Sequence, residues 1–257
     1  MNETESDPAQ PAATTNGPVN RRIGGLIVIG DEVLGRRIDD RNTAMVLDAF
    51  ARHGIVAGEV AIVADNIDRI AVVVREFAAR FDVVITTGGV GPTHDDCTWR
   101  AVAMAVDDDF VLRQEVLDMM EARAGRALTP EQQRMALLPS RAVVERLDRG
   151  WALRVDAIWV LPGVPSMVMA KIDAICSRYA APQPHLCEVY FTADEWDVVA
   201  AVDAMVANFK QLRVGSYPLF DAALDHRLRI SIEGDDRAHV DQGLGAIIAG
   251  VGADYLV

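Results

Sequence analysis

Four short apolar runs, each ending in a loop of glycine or acidic residues and each followed by helical periodicity, restrict this chain to a layered α/β fold. Ile23-Gly24-Gly25-Leu26-Ile27-Val28-Ile29 runs into Gly30-Asp31-Glu32-Val33-Leu34-Gly35, and Val56 to Val63 runs into Ala64-Asp65-Asn66. Asp82-Val83-Val84-Ile85 runs into Thr86-Thr87-Gly88-Gly89-Val90-Gly91-Pro92, and Ala157 to Leu161 into Pro162-Gly163-Val164-Pro165-Ser166. Helices are predicted over about 42–53, 67–80, 98–106 and 166–179. The first two carry core stripes at 3.6 spacing: Thr43, Val46, Leu47 and Phe50, then Ile70, Val73, Val74 and Phe77. Strands alternating with helices in this way imply parallel crossovers. The expected fold is a three-layer α/β/α domain with a mostly parallel sheet.

Between the third and fourth runs, Arg113 to Gly125 reads as a further helix. Thr129-Pro130-Glu131 starts another, with proline at its first position. Arg141 to Arg154 is ambiguous and admits two short strands. Ala181-Pro182-Gln183-Pro184 reads as a linker, and the pattern changes beyond it. Strands over 186–192, 212–217, 227–233 and 254–257, with helices over 194–209 and 236–250, give the order βαββαβ of a small α+β ferredoxin-like lobe. The expected organisation is a disordered acidic tail over 1–20, the α/β domain over 21–180 and the small domain over 185–257.

The net charge of −13 argues against nucleic acid as the main partner. No apolar run is long enough to span a membrane. Cys97, Cys176 and Cys187 have neither metal-ligand nor disulfide-framework spacing. With no signal-peptide pattern, cytoplasm is the expected location.

In an open parallel sheet, ligands bind beyond the carboxyl ends of the strands. All four loops would then share one edge, carrying Asp31, Glu32, Asp65, Asp95 and Asp96 beside glycine-rich backbone. A glycine turn running into a helix N-terminus favours phosphate. Two readings of Asp95-Asp96 stay open: one aspartate caps the following helix, or the pair serves a ligand or a divalent ion beside the phosphate. His94 is either a solvated loop residue or a proton carrier, and Cys97 either a small buried filler or a reactive thiol.

These stretches resemble the molybdopterin-binding, or molybdenum-cofactor biosynthesis, domain family. The first motif is Gly30 to Gly35 with Asp39 and Asn42; the central motif is Thr87 to Thr98; the third is Leu161 to Pro165. Within the family, Pro92-Thr93-His94-Asp95-Asp96 is closer to the N-terminal domains of competence/damage-inducible protein A and of eukaryotic-type FAD synthase. Val214-Gly215-Ser216-Tyr217-Pro218 resembles the latter branch too. The resemblance implies a pocket for a phosphorylated nucleotide or pterin, molybdopterin included. In the two closer branches it also implies a nucleotide pyrophosphatase acting on ADP-ribose or FAD with Mg²⁺, Mn²⁺ or Co²⁺.

Carried onto this chain, the implied catalytic residues are Asp96, Asp95 and Asp31, with Asp31 and Asp96 on the metal. The implied ligand residues are Gly30, Glu32, Asp65, Thr87, Gly88, Gly89, Gly91, Pro92, Thr93 and Thr98, with Pro162, Gly163, Pro165 and Ser166 on the facing wall. One departure stands out: Arg100 takes a position where the family often has glutamate. A homo-oligomer, dimer or trimer, is implied as well. No second catalytic domain is recognisable, which argues against FAD synthesis, and a non-catalytic ligand-binding or regulatory module is the alternative.

Overall fold

The computed structural model describes residues 21–221 and 223–257; the stretch read as a disordered tail lies outside the described residues. The described chain forms two compact units, Arg21–Gln183 and Pro184–Val257.

In the larger unit the strands predicted from the apolar runs form: β1 Ile23–Ile29, β2 Val56–Val63, β3 Val83–Thr87 and, later, a strand at Ile158–Leu161. Between them lie α1 Asp31–Leu34, α2 Asn42–Arg52, α3 Ile67–Arg80 and α4 Thr98–Ala105. Asp40 starts α2 by accepting the Asn42 and Thr43 N–H groups at 2.9 and 3.0 Å. Asn66 caps α3 by accepting the Arg69 N–H at 2.9 Å. The next elements are β4 Phe110–Leu112, α5 Gln114–Ala124, α6 Pro130–Gln133 and β5 Leu137–Pro139, then β6 Val143–Leu147, β7 Gly150–Val155 and β8 Ile158–Leu161.

The main sheet has the order β2-β1-β3-β8-β7-β6. Its first four strands are parallel, and β7 and β6 extend it antiparallel. The ambiguous 141–154 segment is therefore a hairpin on the sheet. β4 and β5 form a separate antiparallel pair that the periodicity did not announce.

The sheet is covered on both faces, which is why β3 is apolar or buried at every position. One face sets Ile27, Ile29 and Val84 against Val73, Val74 and Phe77 of α3 and Val102 of α4. The other sets Leu26, Val28 and Ile85 against Val46 and Phe50 of α2 and Val168, Ile172 and Ile175 further on. Those last residues lie on two short helices, α7 Pro165–Met169 and α8 Ile172–Cys176, rather than on one helix through Tyr179. The break falls at Ala170-Lys171, and the turn there lets both pieces bury apolar side chains in the same core.

The smaller unit contains β9 His185–Phe191, α9 Glu195–Asn208, β10 Arg213–Pro218, β11 Leu228–Gly234 and α10 Arg237–Val251. Its antiparallel sheet has the order β10-β11-β9, the split arrangement of a ferredoxin-like lobe. Leu228, Ile230 and Ile232 of β11 point into the core with Phe191 and Val198. The predicted last strand is not formed. Gly252, at φ 103°, turns the chain into a 3-10 turn at Ala253–Tyr255, and one bridge from Leu256 to Phe191 replaces the strand. Among the described residues no helix is long and apolar enough to cross a membrane.

Candidate functional site

Because β1, β2, β3 and β8 are parallel, the four loops leave the sheet at one rim, and hydrogen bonds tie them together. The Gly30 N–H donates to the Val63 carbonyl at 3.1 Å, and the Gly88 N–H to the Leu161 carbonyl at 3.0 Å. The Asp31 N–H donates to Asp65 Oδ2 at 2.9 Å. Asn42 Nδ2 reaches from α2 to the Gly163 carbonyl at 2.9 Å. The central turn needs its glycines. Gly88 has φ 103°, and a Cβ there would lie 2.0 Å from the Ile29 carbonyl oxygen. Gly89 has φ 63°, and a Cβ there would lie 2.4 Å from Thr98 Oγ1.

Thr98 explains how the turn keeps its shape. Its hydroxyl donates to the Gly88 carbonyl at 2.8 Å and its N–H to the Gly89 carbonyl at 3.0 Å. Thr98 is fully buried and Thr87 is 1% exposed. Thr98 therefore supports the turn from behind rather than facing a ligand. The Thr87 hydroxyl and Asn42 Oδ1 are buried without a protein partner among the described residues.

The aspartates divide the roles the sequence left open. Neither caps α4, whose first turn has no side-chain cap. Asp96 closes its own loop instead: Oδ2 accepts the Thr93 N–H at 2.9 Å and the Thr93 hydroxyl. Asp31, Glu32 and Asp95 crowd the field of Asp65. Burial first, then Glu32, Asp31 and Asp95, push the Asp65 carboxyl above its ordinary value, against the Asp31 amide that donates to it. Asp96, tied to Thr93, lies in the same loop as Asp95.

Among the described residues no three His, Cys, Asp or Glu side chains form a preformed metal site. Burial pushes the half-buried Cys97 thiol up, which disfavours the thiolate. His94 is exposed, 3.9 Å from Asp95.

Two adjoining cavities open beside the glycine turn. The smaller, about 220 Å³, is lined by Gly89, Gly91, Thr93, Asp96, Arg100 and Arg134 among others. The larger, about 610 Å³, is bounded by Trp151, Met120, Leu128, Pro162 and Ser166, with Arg123 and Lys171 at its wall. Val90, Trp99 and Met135 line both. Pro92, Gly163 and Pro165 are exposed or half-exposed and line neither cavity; Asp31, Glu32 and Asp65 also lie outside both. Arg134, Arg123, Lys171 and Trp151 were not legible as site residues. They come from the α6 end, α5, the α7–α8 break and β7, where basic residues carry no motif.

A family model described as "Probable molybdopterin binding domain" matches residues 25–181, and one described as "FAD synthase, middle domain" matches residues 183–257. A CinA-like protein of Escherichia coli O17:K52:H18 is 31% identical over 198 residues, which is 70% of this chain and 49% of that protein. A CinA-like protein of Geobacter metallireducens is 38% identical over 157 residues, 58% of this chain and 38% of that protein. The chain thus spans about half the length, or less, of these curated relatives. The crystal structure of the protein CinA, of unknown function, from Thermoplasma acidophilum superposes with a TM-score of 0.58 at 28% identity, covering 62% of this chain and 99% of that one.

Proposed function

Because the chain belongs to the molybdopterin-binding domain family, we propose that it binds a phosphorylated nucleotide or pterin at the shared loop rim and hydrolyses a nucleotide pyrophosphate. The observation that carries this reading is the smaller cavity, whose lining includes Gly89, Gly91, Asp96, Arg100 and Arg134. Backbone amides of a glycine turn bind phosphate without the desolvation cost of a buried charge. Arg100 and Arg134 supply the positive charge that a chain of net −13 otherwise lacks in its general field. The position where the family often has glutamate here contributes to anion binding.

A divalent ion (Mg²⁺, Mn²⁺ or Co²⁺), when bound with substrate, neutralises phosphate charge and activates water. Asp31 and Asp96 are the carboxylates proposed for it, with Asp65 and Asp95 close to Asp31. In this reading Asp96 holds the loop on Thr93 with one oxygen and leaves the other toward the cavity. Gly89 and Gly91 let backbone approach the phosphates. Pro162 and Ser166 close the other wall. The ligand is a small molecule, and a homo-oligomer is proposed as the working assembly.

The test is to incubate the protein with ADP-ribose, FAD and NADH, each with Mg²⁺, Mn²⁺ or Co²⁺, and to follow AMP release. Release that Asp96→Asn cuts by about 100-fold or more supports hydrolysis. No AMP under any metal removes it. A second reading, ligand binding without turnover, is favoured by Arg100 at a position where the family often has glutamate. Tight nucleotide or pterin binding by a protein inactive with every metal supports that one.

A further inference from the structure

The larger cavity contains a charge arrangement that the pyrophosphate reading leaves unused. Lys171 sits at the α7–α8 break, half-buried, and is bound by no carboxylate within ion-pair distance among the described residues. Its ammonium lies 5.4 Å from the centre of the Trp151 ring. Burial, with the Arg123 charge added, holds the Lys171 ammonium below the ordinary lysine range. A desolvated cation beside a second cation is unfavourable unless an anion joins them. Arg52, Arg80, Arg154 and Arg178, by contrast, each have a carboxylate partner. Lys171 and Arg123, with Arg149, line the space of about 610 Å³ between Met120, Leu128 and Trp151, a volume suited to a ring system.

Since Val90, Trp99 and Met135 line both cavities, one molecule can occupy both. We propose that the ligand has two anionic ends: a phosphate at the glycine turn, and a ring in the larger cavity whose own carboxylate or additional phosphate is held between Lys171 and Arg123. The inference rests on the phosphate-binding reading above and adds a requirement to it. Lys171 and Arg123 would then select among ligands that share the first phosphate. Trp151 gives the ring an aromatic surface and Lys171 a cation–π neighbour when the site is empty.

Calorimetric titration with two pairs of probes tests this. Nicotinate and nicotinamide mononucleotides differ by one carboxylate charge on the ring. Adenosine 2′,5′-bisphosphate and AMP differ by one remote phosphate. In at least one pair, the member with the extra anion should bind ten-fold or more tighter to the wild-type protein. The pair that discriminates identifies which anion the site takes. Lys171→Met and Arg123→Gln should each erase the preference while leaving AMP affinity within about two-fold, and Lys171→Arg should retain it. A merely structural lysine would instead change both members of a pair equally. Equal binding of both members in both pairs, with AMP still bound, overturns this inference and leaves the phosphate reading intact. If none of the four probes binds, both fall. Lys171→Met removes an unpaired charge, so circular dichroism and melting should show it folded; Arg123→Gln, on the exposed side of α5, provides the same readout should it not be.

Discussion

The shared rim has two halves of opposite charge. On the β1–β2 side Asp31 and Glu32, with Asp95 from the loop after β3, raise the Asp65 carboxyl that burial already pushes up. On the β3–β8 side Arg100, Arg134, Arg123 and Lys171 line the two cavities, where Asp96 is the one carboxylate among the lining residues. The acidic half repels phosphate unless a cation intervenes; the basic half attracts it directly. The chain thus separates two tasks that a glycine turn alone would merge, and the turn at Gly88-Gly89 is the boundary between them.

Breaking the boundary should have the largest effect. In Gly88→Ala the new methyl group meets the Ile29 carbonyl in a backbone conformation that suits glycine. The expected cost is about 3 kcal/mol. Calorimetric melting should fall by on the order of 10 °C, and both halves should lose function together. Removing charge from the basic half should be smaller and selective. Arg100→Ala and Arg134→Ala should each weaken ADP-ribose binding about ten-fold without metal, with melting temperature little changed, by the usual strength of a charge-assisted hydrogen bond. If metal-free affinity is unaffected, the basic half is not the phosphate side.

The acidic half should respond least in stability and with the opposite sign. The Asp65 carboxyl titrates higher in the folded chain than in the unfolded one. Its contribution is therefore most favourable below the unfolded pKa and is lost as pH rises through the folded pKa. Asp65→Asn keeps an acceptor for the Asp31 N–H, so it should flatten that loss and stabilise the protein at neutral pH by less than about 1 kcal/mol. Denaturant midpoints across the acid range measure this. Any activation by Mg²⁺ or Mn²⁺ should weaken in the same variant. A destabilised Asp65→Asn would mean that the cluster is a structural network.

The acidic half was readable from the amino-acid sequence and the basic half was not. Each parallel strand is marked by an apolar run and each of its loops by glycine or an acidic residue, so Asp31, Glu32, Asp65 and Asp95 could be placed on one edge from the sequence, with Asp96 beside them. Arg100 was visible only as an odd residue in a familiar motif. Lys171 lay within what reads as one continuous helix, and no glycine or proline marks the break that turns it toward the cavity. Trp151 belongs to a hairpin that joins the sheet antiparallel, which strand periodicity cannot foretell. The last strand of the smaller unit failed for a related reason: Gly252 sets a turn whose geometry overrides the short run after it.

The Asn42 amide, which spans from the start of α2 to the Gly163 carbonyl, fastens the first motif to the third. A loop transplanted into 162–166 keeps the Asn42 amide paired only if its backbone carries a carbonyl to the place of the Gly163 oxygen. Specificity engineering in this chain should exchange the two segments as a pair.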